Sequence, residues 1–347
     1  MKVHQLLCAA GPVDAVTNQG FAWRRQFTAW GWEGGDFAEV LAPGMDRRAM
    51  RPLKAFDPAP GEPVLVHYSG YAPGLERLVG PPSRFLVLSH NITPARYFWE
   101  LEPSEGVRCS LAPAQLAAIA GRARVAAGVS QFNADQLREA GVLDPDVIPI
   151  LFDRTPLPVP GPPPRGTPTI LFVGRLAPHK RQDLVIRAFG LYRRLHAPDA
   201  RLVLVGVPIT PDFERRLRQL AEEVAPGAVT FGNGIPADEL HDHFRSAHAF
   251  LCLSEHEGFC IPLLEAFHFG VPVISRAVGG IPEVVGDAGV LLAEIDDLPV
   301  VAELLHLAVS DPSLRATLAP RAAARLDRYA APRVAEHMRA RLEELAA

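Results

Sequence analysis

Two doubly wound α/β units, each on a parallel sheet, are what this 347-residue chain predicts. Three observations carry that expectation. Short apolar runs such as Thr169–Val173 alternate with stretches at helical spacing. Strands that are apolar throughout belong in a sheet covered by helices on both faces, and repeated βα units make that sheet Rossmann-like. The length suits about two domains, each large enough to bury a core. A proline-rich run from Pro156 to Pro168, with seven prolines, divides the chain into two comparable halves; proline fixes φ and removes a donor, so an extended, stiff connector is expected there.

The second half is the clearer one. Strands are predicted at Thr169–Val173, Arg201–Val205, Ala228–Phe231, Ala249–Ser254 and Val271–Ser275. Helices are predicted where Leu184, Val185, Ala188, Phe189 and Tyr192 share a face, over Phe213–Val224, Ala237–Ser246 and Pro262–Phe269, and briefly from Pro282. In the first half, Val64–His67, Phe85–His90, Val125–Ser130 and Val147–Leu151 read as strands, and Asn18–Trp30, Leu111–Ala120 and Asn133–Ala140 as helices. Val334, Met338, Leu342 and Leu345 fall on one face of a final helix. The expected organisation is a first unit over 1–155, the connector over 156–168, a second unit over 169–330 and a terminal helix over 331–347.

Composition narrows the function. A net charge of −4 argues against nucleic acid as the main partner, which needs a basic face. The four cysteines, Cys8, Cys109, Cys252 and Cys260, form no CxxC pair, so neither a zinc cage nor a redox pair is signalled, and their scatter suits a reducing compartment. The N-terminus turns polar too soon for a signal peptide, and no run approaches the ~20 apolar residues of a membrane span. A cytoplasmic protein is expected.

The strongest chemical signal is Ser254-Glu-His-Glu-Gly-Phe-Cys-Ile-Pro-Leu-Leu-Glu265. A strand ends, a glycine-containing loop follows, and Pro262 opens a helix. Ligands of open α/β sheets bind at the carboxyl ends of strands, and a helix N-terminus there offers free N–H groups to a diphosphate. Glu257 in the loop can accept hydrogen bonds from sugar hydroxyls, and Glu265 within the helix can grip a diol. A carboxylate in so apolar a stretch is rarely left without a partner.

A second cluster, Gly174-Arg175-Leu-Ala-Pro178-His-Lys180, follows the strand Thr169–Val173. Arg175 and Lys180 can converge on an anion and stabilise a leaving diphosphate without a metal; the plainer reading is two surface cations beside Asp183. Gly279-Gly280 before a helix would let the backbone approach a phosphate. Gly234 and Ile235, after the strand at Phe231, could lie against a nucleobase, or be a plain loop.

Taken together, the pattern GRLxxxK, FG, SxxEGFxxP-LLEA, GVPVI and GGxPEVV over Thr169–Leu292 resembles the retaining GT-B glycosyltransferases of family GT4, the glycosyl transferases group 1. The resemblance implies the GT-B fold, two Rossmann-like domains facing each other across a cleft, with the acceptor bound by the first (1–155), the donor by the second (169–330), and the terminal helix over 331–347 crossing back onto the first. Glu257 and Glu265 match the family's E-x7-E signature. It implies that Arg175 and Lys180 hold the donor diphosphate, that Glu257 contacts the donor sugar, that Glu265 binds the ribose, and that backbone at Gly258, Phe259, Cys260 and Ile261 covers sugar and phosphates. Cys260 stands where the family often has glycine; the expectation is that the position needs no positive φ and that the change is harmless. Nothing near it in sequence would activate its thiolate as a nucleophile.

The first half resembles the family more weakly. The loop Gly11–Gln19, with Asp14 and Asn18, is similar to its acceptor-side loop. His90, after a strong strand, sits where these enzymes often keep a histidine facing the donor sugar, the plainer reading being a buried, structural histidine; His67 is a second, weaker candidate. Tyr97, Phe98 and Trp99 could line an acceptor cleft or belong to the core.

The function implied is transfer of a hexosyl group from a nucleoside-diphosphate sugar to an acceptor hydroxyl on a glycan, lipid-linked intermediate or metabolite, with retention and with no metal. The alternatives are a GT-B nucleotide-sugar epimerase or phosphorylase, or a nucleotide-sugar-binding protein without catalysis. A nicotinamide-dependent dehydrogenase lacks its GxGxxG loop. Arg47, Arg48, Arg51 and Lys54 form a basic cluster that could make a peripheral membrane contact. Residues 1–153 hold 14 Lys and Arg against 16 Asp and Glu, however, so a solvated face is favoured.

Overall fold

The computed structural model describes residues 1–79, 84–162, 164–295 and 297–346. The chain forms two compact units: Met1–Trp99 with Pro103–Asp153 and Tyr329–Ala347, and Arg154–Arg328 with Glu100–Glu102.

The first unit contains β1 (His4–Ala10), α1 (Ala15–Ala29), β2 (Asp36–Leu41), β3 (Arg51–Pro52), β4 (Val64–Tyr68), β5 (Phe85–Ser89), α2 (Pro103–Ala120), β6 (Val125–Gly128), α3 (Gln131–Glu139) and β7 (Asp146–Val147). Its sheet runs β3-β2-β1-β4-β5-β6-β7, parallel throughout. The second unit contains β8 (Thr169–Val173), α4 (Gln182–Leu195), β9 (Arg201–Val205), α5 (Pro211–Val224), β10 (Val229–Gly232), α6 (Ala237–Ser246), β11 (Ala249–Cys252), α7 (Ile261–His268), β12 (Val273–Arg276), α8 (Ile281–Val285), β13 (Val290–Leu292), α9 (Leu298–Ser310) and α10 (Pro312–Arg328). Its sheet runs β10-β9-β8-β11-β12-β13, also parallel. The last helix, α11 (Ala331–Ala346), packs into the first unit through Val334, Met338, Leu342 and Leu345, and His337 and Arg341 reach the Asp146 carboxylate at 2.9 and 2.7 Å.

Several boundaries differ from the sequence reading for identifiable reasons. Only Asp146–Val147 joins the sheet, not Val147–Leu151. Ile148 N–H still donates to the Gly128 carbonyl at 3.0 Å, but Pro149 has no N–H to continue the ladder, and Leu151 is held by a side chain: Gln19 accepts from its N–H at 2.9 Å and donates to its carbonyl at 3.3 Å. Helix α1 starts at Ala15 because Asp14 caps it, accepting from the Thr17 N–H at 2.7 Å. The strand expected at Ala249–Ser254 stops at Cys252, which leaves Leu253 and Ser254 to the site loop. Within the proline-rich run, the Pro158 carbonyl accepts from His268 Nε2 at 3.0 Å. Pro163, and Ala347 of the terminal segment, lie outside the described residues.

Candidate active site

The strand order of the second unit puts its topological switch between β8 and β11, whose connections leave in opposite directions along the sheet. A crevice opens at such a point beyond the strands' carboxyl ends. Both strong motifs emerge there, Gly174–Lys180 from β8 and Ser254–Cys260 from β11.

Lys180 and Glu257 meet across this point. Lys180 Nζ donates to Glu257 Oε2 at 2.7 Å, and Ser254 Oγ donates to Oε1 at 2.8 Å. Burial alone would pull Lys180 down, but the Glu257 carboxylate outweighs it and holds the ammonium above its ordinary range. The glycine pair supports the same residue rather than standing open for a phosphate: Gly280 N–H donates to the Glu257 carbonyl at 3.0 Å. Gly279, at φ 56°, sits so close that a Cβ would collide with that carbonyl.

Around this pair the loop is fixed by charge. Arg181, in the left-handed region at φ 50°, binds Asp183 at 2.9 Å through two nitrogens and also pairs with Glu255. Gln182 Nε2 holds the Arg175 carbonyl at 2.9 Å, while the Arg175 side chain is exposed. Buried His179, pushed down to about 2 by desolvation and by the charges of Lys180, His256 and Arg175, stays neutral.

Glu265 lies on α7 among buried Leu263, Leu264, Ala266 and Phe267. Removal from water raises its carboxyl to about 7, and among the described residues its side chain has no hydrogen-bond partner. Gly258 and Phe259 are buried and Ile261 opens α7. Cys260 corrects the sequence reading: it caps α7 at φ 72° and ψ 73°, so the position does require the left-handed conformation, and its Cβ is strained there. Its Sγ, Cys252 Sγ and a Glu257 oxygen lie within 4.8 Å of one another. Gly234 and Ile235 follow β10, the sheet edge, two strands from β8.

In the first unit His90 is held by a polar chain inside the sheet. His90 Nε2 and His67 Nδ1 are 2.9 Å apart, and His67 Nε2 reaches Gln5 Oε1 at 2.8 Å. Gln5 Nε2 donates to Asp36 Oδ1 at 2.9 Å, and Arg24 closes the chain on Asp36. Since the Gln5 oxygen only accepts, His67 carries its proton on Nε2 and accepts at Nδ1 from His90 Nε2–H. Burial pushes His90 down to about 3 and His67 well below its ordinary range. Both rings are therefore neutral near pH 7, and His90 can offer a hydrogen-bond acceptor at Nδ1 but no mobile proton.

The Asp14 carboxylate is committed to Thr17, binding its N–H and its hydroxyl at 2.7 Å each, while Asn18 is exposed on the first turn of α1. Phe98 is core at 2% exposure, Tyr97 is half-buried and Trp99 is exposed. Arg47, Arg48, Arg51 and Lys54 are all exposed, with Arg51 lying over the Phe37 ring at 4.2 Å.

Sequence reasoning passed over Ser254, Cys252 and the Gln5–Asp36–Arg24 support. The available signal for Gln5 was a polar residue inside the apolar run of β1.

Two doubly wound units with parallel sheets define a two-domain α/β protein of the GT-B type. Its likeness to the sucrose-phosphate synthase of Thermosynechococcus elongatus has a TM-score of 0.78, at 20% identity and 99% coverage of both chains, a likeness of fold. Residues 153–325 match the family described as glycosyl transferases group 1, and the chain belongs to that family. It is 34% identical over 168 residues, 46% of this chain and 37% of the relative, to a D-inositol 3-phosphate glycosyltransferase of Acidothermus cellulolyticus. It is 38% identical over 127 residues, 35% of this chain and 32% of the relative, to a GDP-mannose-dependent alpha-(1-6)-phosphatidylinositol monomannoside mannosyltransferase of Mycolicibacterium smegmatis. The chain thus spans about a third of the length of these curated relatives. Among the described residues no helix is long and apolar enough to cross a membrane.

Proposed function

We propose that this chain transfers a hexosyl group from a nucleoside-diphosphate sugar to an acceptor hydroxyl, with retention of anomeric configuration. The observation that carries the reading is Glu265: a half-buried carboxyl without a protein partner among the described residues, on the helix that follows the loop of Glu257 at the switch point of the second sheet. A ribose diol would satisfy Glu265. The diphosphate would lie against Arg175, Lys180 and the amino end of α7, where exposed cation and helix dipole act on developing negative charge. Glu257 would then accept from sugar hydroxyls.

Retention is proposed to proceed on one face of the sugar rather than through a covalent glycosyl-enzyme. Both Glu257 oxygens already accept hydrogen bonds, from Lys180 and Ser254, which makes it a poor nucleophile. With two cations at hand the reaction is expected to need no metal, so a chelator should leave turnover unchanged. The acceptor is proposed to be a carbohydrate or lipid-linked hydroxyl, in line with the names of the relatives, and to use the first unit, where His90 offers a fixed acceptor atom. Four free thiols suit the reducing cytoplasm as its place.

A panel of UDP-, GDP-, ADP- and TDP-sugars, read by thermal stabilisation, tests this directly. Ligand at a hundredfold excess over Kd should add about 2.7 kcal/mol to apparent stability. One nucleotide class should stabilise the protein, and Glu265→Ala and Lys180→Ala should both lose the effect. No response to any nucleotide sugar would overturn the donor site; an inverted product anomer would overturn retention.

A further inference from the structure

The loop between β11 and α7 carries two thiols that the proposed transfer does not use. Cys252 ends β11 at 1% exposure, and Cys260 caps α7 at a half-buried position. The sulfurs sit within 4.8 Å of each other and of Glu257. The neighbouring Cys260 holds Cys252 below the ordinary thiol range, while Cys252 and burial push Cys260 well above it. Cys252 also belongs to a polar chain, since its Sγ contacts Ser254 Oγ at 3.3 Å and Ser254 Oγ donates to Glu257 at 2.8 Å. A metal fits this trio poorly. Two sulfurs and a carboxylate whose oxygens serve Lys180 and Ser254 fall short of a four-ligand cage, and a buried ammonium stands beside it. Two adjacent thiols without a metal have another chemistry available.

We propose that Cys252 and Cys260 are an oxidisable dithiol, joined by hydrogen peroxide into a disulfide that spans the loop carrying Glu257. One sulfur attacks a peroxide oxygen and becomes a sulfenic acid as the O–O bond breaks and water leaves. The other sulfur attacks it, the S–O bond breaks, and a second water leaves. Two thiols and one peroxide thus give one disulfide and two waters, the sulfurs oxidised and the peroxide reduced. Bond formation draws the sulfurs to about 2.05 Å. It withdraws Cys252 from Ser254, the residue that holds Glu257 Oε1. On the donor-site reading above, the oxidised loop binds nucleotide sugar more weakly, and a thiol reductant reverses the change.

The full chain is treated with hydrogen peroxide, quenched, unfolded in an alkylating agent, digested with trypsin and weighed. Cys252 and Cys260 share the tryptic peptide 246–276, while Cys8 and Cys109 lie elsewhere. The expected result is a 246–276 peptide two hydrogens lighter and unalkylated, with both alkylation sites restored by dithiothreitol and the Cys8 and Cys109 peptides unchanged. Peroxide that leaves both sites alkylatable, or that yields a sulfinic acid on one cysteine with the other still free, overturns the proposal. Cys252→Ser and Cys260→Gly must each abolish the two-hydrogen loss; glycine tolerates the backbone of position 260, so this variant is expected to fold. In parallel, affinity for the stabilising nucleotide sugar should fall at least tenfold on oxidation and return on reduction, with Cys252→Ser insensitive to peroxide. A disulfide that leaves affinity unchanged overturns the switch. Reduced protein that binds no nucleotide sugar overturns the donor-site reading instead, and the mass result stands independently of it.

Discussion

Lys180 and Glu257, 77 positions apart in the chain, form a 2.7 Å ion pair whose side chains are only 18% and 8% exposed. They come from loops after two different strands, so the pair ties the β8 and β11 ends of the sheet together. Removing one partner strands a buried charge, which costs far more than the pair contributes relative to apolar replacements. Lys180→Ala is therefore expected to lose about 3 kcal/mol in urea denaturation. Adding Glu257→Gln should recover part of that loss. A single variant as stable as the parent would show that the pair does not hold the two strand ends together.

Glu265 leads to an unusual combination of outcomes. Its carboxyl titrates at about 7 when folded, against 4.5 when unfolded, because the folded protein withholds water from it. Between those values the native state holds the extra proton, so this group's contribution to stability falls as pH rises and stays reduced above about 7. Glu265→Gln should remove that fall and raise stability at pH 8, by up to about 3 kcal/mol from the shift itself. The same variant should lose nucleotide-sugar binding. Gain of stability with loss of binding marks a residue kept for its ligand, and a destabilised variant would argue for a structural role instead.

The histidine pair has the opposite sign. His90 titrates at about 3 and His67 also well below 6.5, both because they are buried. Below pH 6.5 the unfolded chain takes up protons that the folded one refuses, so stability falls on acidification, by up to about 1.4 kcal/mol per pH unit for each ring. His67→Asn keeps a carbonyl near the Nδ1 position to accept from His90 and should remove one proton from that slope. Because Glu265 opposes the effect in part of the same range, the slope is best read in a Glu265→Gln background. An unchanged slope would mean that His67 is already charged or solvated.

Much of the second unit was legible because its signals are local. A parallel strand buried on both faces is apolar along its whole length, and the glycines, Pro262 and both glutamates sit at strand ends and helix starts where sequence spacing maps directly onto the sheet. Helices α9 and α10 escaped notice: α9 is apolar on most sides, which blurs its period, and α10 carries Pro320 in its interior. In the first unit, β2 went unread because only its first half is buried. What sequence could not supply was pairing across distance. Ser254 reads as a strand end, and only the fold turns its hydroxyl onto Glu257. Gln5, Asp36 and Arg24 support His67 from three separate elements. Cys252 and Cys260 carry no CxxC spacing, and they meet because β11 ends where α7 begins.

Cys260 shows how one dihedral angle decides a stability prediction. At φ 72° a residue with a Cβ crowds its own carbonyl, at a cost of roughly 1–2 kcal/mol that glycine does not bear. Glycine in turn loses about 0.4–1 kcal/mol through the greater freedom it gives the unfolded chain. The difference predicts that Cys260→Gly stabilises the protein by up to about 1.6 kcal/mol, a shift of a few degrees in Tm. Cys260→Ala keeps the Cβ and discards the sulfur's contacts with Cys252, so it should be no more stable than the parent. If alanine stabilised as much as glycine, the cost would lie in the thiol pair and not in the backbone, so the two variants measured together under reducing conditions separate strain from side-chain packing.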